Sequence, residues 1–252
     1  MPTVVVTGAG RGLGRAVASG LAADGWDVAL LGRTPEDLDS AAREAEEAGG
    51  IRVVAVTVDV RDSAAVEAAF ATVRRVLGPP AALVVSAGVQ RIGAALDLPA
   101  ADWDVVLDTN LTGAFLCMQA GARLMVGEGG GGHAGGGSIV AIASVAGLTA
   151  VAGRAAYAAS KAGLVMLTRV CAVEWAEHGI RVNAVAPTFV DTDLGRQTLD
   201  CPGERERILG LIPLRRLATP QDVLGAVRFL LDERAAGFVT GECLTVDGGL
   251  RA

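Results

Sequence analysis

"TVVVTGAGRGLGRAVASGLAADG", Thr3 to Gly25, sets a short β-branched run against a glycine turn and then an Ala-rich stretch of helical character. Gly8, Gly12 and Gly14 leave the backbone of the turn uncovered, with Arg11 and Leu13 among them. The N–H groups there, with the positive end of the following helix, face an anion of the pyrophosphate type. In a chain with 34 Gly the spacing G-x-x-x-G-x-G arises by chance about 0.6 times, so the pattern alone decides little. Its position decides more, because strand, turn and helix stand in the order that the first crossover of a doubly wound sheet requires.

Working outward, six more runs have strand character: Asp27 to Leu31, Arg52 to Val58, Ala82 to Ser86, Ser138 to Ser144, Ile180 to Ala186 and Cys243 to Gly248. All but the last are nearly continuous apolar runs, the pattern of strands buried on both faces of a parallel sheet. Between them lie longer stretches rich in Ala, Leu, Arg and Glu. The reading is α/β: one Rossmann-type doubly wound domain over residues 1–252, its seven-stranded, mostly parallel sheet flanked by helices. One long helix is expected over 100–126 and another over Ala155 to Glu177. Two segments break the rhythm. The glycine run Gly127 to Ser138 reads as a mobile surface loop. Residues 191–213 read as a lid over a cleft or as an ordinary surface helix.

Of the 252 residues 51% are hydrophobic, and the net charge is -6. An acidic chain repels nucleic acid and anionic membranes, which leaves a small molecule as the natural partner. Four scattered cysteines and two isolated histidines form no metal-ligand spacing, so no metal is expected. The first residues lack a signal sequence, and the setting expected is cytoplasmic, with the cysteines in the core.

The second strand ends "LLGRT". An Asp or Glu there would bind the hydroxyls of an adenosine ribose, but Gly32 and Arg33 occupy the place. With Arg11 nearby, this favours a ribose carrying a phosphate over a bare one.

"YAASK" holds the only Tyr and the only Lys of the chain, Tyr157 and Lys161. Four residues apart on a helix, they share a face. At about 4.5 Å and an effective dielectric near 20, the ammonium would stabilise a phenolate by about 3.7 kcal/mol, or about 2.7 pKa units. A phenol so lowered serves as general acid or base near neutrality.

"TGAGRGLG", "YAASK" and Ser144, thirteen residues before Tyr157, together resemble the short-chain dehydrogenases/reductases, and the resemblance runs through the terminal "TGECLTVDGGL". It implies an NAD(P)-dependent oxidoreductase acting on a carbonyl or secondary alcohol, NADP(H) being the expected cofactor and NAD(H) the alternative. It implies a tetrad: Tyr157 as proton donor and acceptor, Lys161 on the nicotinamide ribose, Ser144 on the substrate oxygen, and Asn110 holding a water behind Lys161. Asp59 would meet the adenine amino group, with Val60 adjacent. Ala87 and Gly88 end a motif, usually N-N-A-G, in which Val85 and Ser86 here replace two amides that brace the sheet. Pro187, Val190 and Thr192 would contact the nicotinamide side, with Thr188 in place of a usual glycine. Gln90, Ile92, Val145, Leu148, Arg154, Phe189 and Leu194 are expected to line the substrate pocket. The chain is similar to carrier-protein reductases and sugar-alcohol dehydrogenases, though His178 stands where the former often hold an Arg. A homotetramer packed through the helices of 100–126 and 155–177 is implied. A dinucleotide sensor, or a lyase or epimerase on the same fold, are the competing readings.

Overall fold

The computed structural model describes residues 1–49, 52–126 and 136–252; most of the glycine run falls outside them. The seven strands are β1 Thr3–Thr7, β2 Asp27–Gly32, β3 Val53–Thr57, β4 Ala82–Val85, β5 Gly137–Ile142, β6 Ile180–Pro187 and β7 Cys243–Val246. They form one sheet in the order β3-β2-β1-β4-β5-β6-β7. Every pairing is parallel. Each lies within two residues of its expected bounds.

Why these runs pair is visible in their two faces. Successive strand residues point to opposite sides. Val4, Val6, Val28, Leu30 and Val84 pack beneath α1 (Gly12–Ala23), α2 (Pro35–Gly49) and α9 (Pro220–Leu231). Val5, Ala29, Leu31, Leu83 and Ile139 pack beneath α3 (Ser63–Leu77), α5 (Gly113–Val126) and α6 (Ala155–Trp175). Each fully buried Val or Leu contributes about 1.5–3 kcal/mol relative to exposure, so a polar residue at any of these positions would weaken the packing of sheet and helices by at least that amount. Local signals agree: Asp62 caps α3 by accepting from the Ala65 N–H at 3.0 Å, and Thr219 with Asp222 forms a capping box on α9.

Two expectations are corrected. The helix over 100–126 is divided: α4 (Ala100–Leu107) passes into a wide π turn, Asp108–Thr112, before α5 begins. Wide turns of this kind occur where a side chain has tertiary partners that a regular helix would not reach. Cys117 and Cys171 are buried as expected, but Cys201 is exposed, because it falls in the short link between α7 (Asp193–Leu199) and α8 (Glu204–Leu211). Those two helices have a small core of their own, Leu199, Ile208, Ile212 and Leu217. The segment is tied to the sheet side by a parallel bridge between Val190 and Ala218. α10 (Glu233–Ala236) follows α9. Among the described residues, 155–178 form the one helical stretch long and apolar enough to cross a membrane; here its buried residues pack against β5 and β6.

Candidate active site

Strand order reverses between β1 and β4, and at the carboxyl ends of the strands a cleft of about 400 Å³ opens. The tails of all of β1 to β6 reach its wall, from Gly8 after β1 to Pro187 at the end of β6.

The glycine turn is built by close approach. A Cβ on Gly8, whose φ is +67°, would lie 2.8 Å from the Cα of Ala87, and one on Gly14 would lie 2.3 Å from the Gly8 carbonyl oxygen. Side chains are excluded there, and the first turn of α1 stands open to the cleft. Arg11, Gly12 and Leu13 line it with them. Thr7 completes the brace: its hydroxyl accepts from the Ser86 and Ala87 N–H groups at 3.1 and 3.2 Å. The hydroxyl thus ties β1 to the end of β4, where Val85 and Ser86 replace the expected amides.

At the far end Arg33 is exposed on the wall, with no hydrogen bond or ion pair among the described residues. Arg11 is held by Asp37 at 3.2 Å, so the wall carries an acid that the reading of Gly32 did not foresee. Val58 and Val60 line the cleft, but Asp59 does not. Its carboxylate is paired with Arg61 at 2.6 Å, which holds it below its ordinary pKa; an adenine amino group would have to displace that guanidinium. Pro187, Val190 and Thr192 line the opposite wall, and Ala87 and Gly88 the floor.

Ser144, Tyr157 and Lys161 meet in the same cleft. Ser144 begins the 3-10 turn Val145–Gly147 and accepts from the Ala146 N–H at 3.2 Å; its hydroxyl also draws the Tyr157 pKa downward. Lys161 is 4% exposed. Its Nζ donates to the Ile142 carbonyl at 2.7 Å and lies 5.8 Å from the centroid of the Tyr157 ring. Burial pushes its ammonium down to about 8. The lowered Tyr157 pKa expected from Lys161 is not realised in the protein alone. Burial raises the phenol, against smaller downward pulls from Ser144 and Arg154. Desolvation, which only packing creates, outweighs what charge and distance alone would give.

Asn110 lies in the π turn, fully buried and off the cleft wall. Its Oδ1 accepts from the Val89 N–H at 2.8 Å, and its Nδ2 donates to the Val89 carbonyl at 2.9 Å and to Ser160 Oγ at 3.0 Å. Ser160 Oγ in turn donates to the Tyr157 carbonyl at 2.8 Å. The amide therefore pins the loop after β4 to the helix that carries Tyr157 and Lys161.

Of the expected pocket residues, Gln90, Val145, Arg154, Phe189 and Leu194 line the cleft. Ile92 is exposed and Leu148 packs against the core. Thr109 escaped the sequence reading, and Thr188 entered it only as a replacement for a glycine. The hydroxyls of Thr109 and Thr188 are buried without a partner among the described residues, and both residues line the cleft. Buried hydroxyls are ordinarily bonded, so this wall is short of a polar ligand, as a dinucleotide site would be. With the glycine cradle, these residues fit such a cofactor.

A family model described as Enoyl-(Acyl carrier protein) reductase matches residues 8–251. The chain is 37% identical over 247 residues to a 3-oxoacyl-[acyl-carrier-protein] reductase of Synechocystis sp., covering 98% of this chain and 95% of that protein. It is 39% identical over 246 residues to the D-threitol dehydrogenase of Mycolicibacterium smegmatis, covering 97% and 91%. Its structure is similar, with a TM-score of 0.92, to a short-chain type dehydrogenase/reductase from Mycobacterium marinum that is 32% identical, covering 100% of this chain and 96% of the other. Similarity of that depth along nearly its whole length places the chain in the short-chain dehydrogenase/reductase family, oxidoreductases that use nicotinamide cofactors.

Proposed function

We propose that this oxidoreductase interconverts a ketone and a secondary alcohol, with Tyr157 moving the proton on the substrate oxygen and NADP(H) as the preferred cofactor. The observation that carries the reading is the meeting of Ser144, Tyr157 and Lys161 in one cleft with an uncovered glycine turn. The bound cofactor supplies or accepts the hydride. Ser144 holds the substrate oxygen beside the phenol, and Tyr157 donates its proton as that oxygen becomes an alkoxide. Lys161, aimed past Gly88, holds the nicotinamide ribose, and the first turn of α1 holds the pyrophosphate. Asn110 acts as a positioning residue through Val89 and Ser160. The segment 191–213 is a lid, since α7 carries Leu194 and Thr198 onto the cleft wall.

Following the reduced-nicotinamide absorbance with a panel of ketones and alcohols tests the reaction class. A phenol raised by burial stays protonated through neutrality, so reduction should be flat at neutral pH and fall only in alkali, while oxidation should rise with pH. Cofactor binding without turnover of any substrate would point instead to a sensor.

The oligomer we propose is a tetramer. Met166, Val170 and Val173 form one stripe along α6, with Phe115 of α5 also outside the core; Met166 is 55% and Val173 80% exposed. Phe229 and Phe238, on and after the C-terminal helices, are exposed as well. If each group meets its own copy across a two-fold axis, four chains close into a tetramer. Sedimentation at micromolar concentration should give four chains, and a monomer would refute this.

A further inference from the structure

Arg154 stands at the start of α6, three residues ahead of Tyr157, and is 7% exposed on the cleft wall. One guanidinium nitrogen donates to Gln90 Oε1 and the other to Thr198 Oγ1. Both acceptors are neutral. The Gln90 amide cannot turn away, because its Nε2 donates to the Leu194 carbonyl at 2.8 Å and to Gln197 Oε1 at 3.1 Å. No carboxylate pairs with Arg154 among the described residues. Glu204 acts on it only from a distance and is held by Arg207 at 2.8 Å. The contrast with other arginines is plain: Arg52, Arg216 and Arg228 have side chains 60%, 55% and 46% exposed, and each has a carboxylate within 2.6 Å.

A buried cation without a counter-charge is costly, and a guanidinium has five N–H donors, of which two are used here. A neutral side chain would join the loop after β4 to α7 without that cost. The site is also in electrical reach of the phenol, since Arg154 acts directly on Tyr157. We propose that Arg154 is a substrate-binding residue and that the substrate is an oxo or hydroxy acid whose carboxylate pairs with this guanidinium. The proposal rests on the reading that Tyr157 acts on a carbonyl oxygen in this cleft, and it adds the class of the substrate.

The test takes methyl-ketone acids with the oxo group at carbon 2, 3, 4 or 5, each beside its own methyl ester, so that members of a pair differ in charge. With NADPH, the wild-type kcat/KM for the best acid should exceed that of its ester by about 100-fold, the scale of a charge-assisted pair. The difference should lie mainly in KM. In Arg154→Gln the acid-to-ester ratio should fall to within about threefold of one, and Arg154→Lys, which keeps a charge, should retain part of the preference. A wild-type ratio near or below one for every pair would overturn the proposal without any variant. So would an Arg154→Gln variant that loses acid and ester activity equally, which would mark the side chain as a strut between α7 and the body. Reduction of esters alone would remove this inference and leave the ketone-reductase reading standing; reduction of neither would remove both.

Discussion

Tyr157→Phe is expected to lower turnover by at least 100-fold while leaving cofactor affinity within several-fold. The hydroxyl is the one group removed, and its partners in the cleft are Ser144 and the field of Arg154, so the loss falls on proton transfer. Lys161→Ala should damage both turnover and cofactor binding. That ammonium is buried, bonded to the Ile142 carbonyl and turned toward Gly88, where it serves the ribose as well as the phenol. Stopped-flow turnover beside a fluorescence titration of NADPH separates the two effects. A Phe variant retaining more than about a tenth of wild-type activity would refute the general-acid assignment, since such groups contribute 100-fold or more.

The second large effect concerns cofactor choice. Wild type should favour NADP(H) over NAD(H) by about 100-fold, and Arg33→Asp should reverse the order. Arg33 has no ion pair among the described residues and is exposed on the wall at the end of β2, free to meet a ribose phosphate. Arg11 is committed to Asp37, and that pair is close to neutral, so the burden falls on Arg33. Hydrogen bonds to a charged group contribute about 1.5–3 kcal/mol each, and the planar guanidinium can offer two to one phosphate. Gly32 adds by omission: it sets no carboxylate against the phosphate and offers none to a bare ribose. The change should appear in KM more than in kcat, because the contact is made equally before and during hydride transfer. A wild type that prefers NAD(H), or a variant whose cofactor ratio stays put, would defeat the reading.

What the sequence disclosed and what it hid divide along physical lines. Strands such as Val4 to Val6 are buried on both faces, so composition alone identifies them, and the turn from Gly8 to Gly14 is constrained by atoms a few residues away. Ser144, Tyr157 and Lys161 were legible because their spacing is itself the chemical signal. Hidden were properties that exist only after packing. The rise of the Tyr157 pKa comes from desolvation by distant residues. The commitment of Asp59 to Arg61 and of Arg11 to Asp37 depends on rotamers that no pattern encodes. Thr7 looked like the polar end of a strand, and only the approach of Ser86 and Ala87 gives its hydroxyl work. Arg154 was expected on the pocket wall, but that no carboxylate pairs with it among the described residues is visible only in the fold.

The wide turn at Asp108–Thr112 has a bearing on how this chain tolerates change. A regular helix advances about 100° per residue. The single extra residue in the turn therefore sets the rotational phase of everything after it. Within the turn, Asn110 must face Val89 and Ser160; after it, Cys117, Met118, Gly121 and Met125 must face the sheet. At Gly121 an added Cβ would lie 2.8 Å from Leu83, so that face has little slack. The turn works as a phase adjuster between a polar obligation and an apolar one. Insertions or deletions between Ala100 and Val126 are thus constrained as a pair: a length change on one side of Asn110 is tolerated only when a compensating change on the other restores the angle.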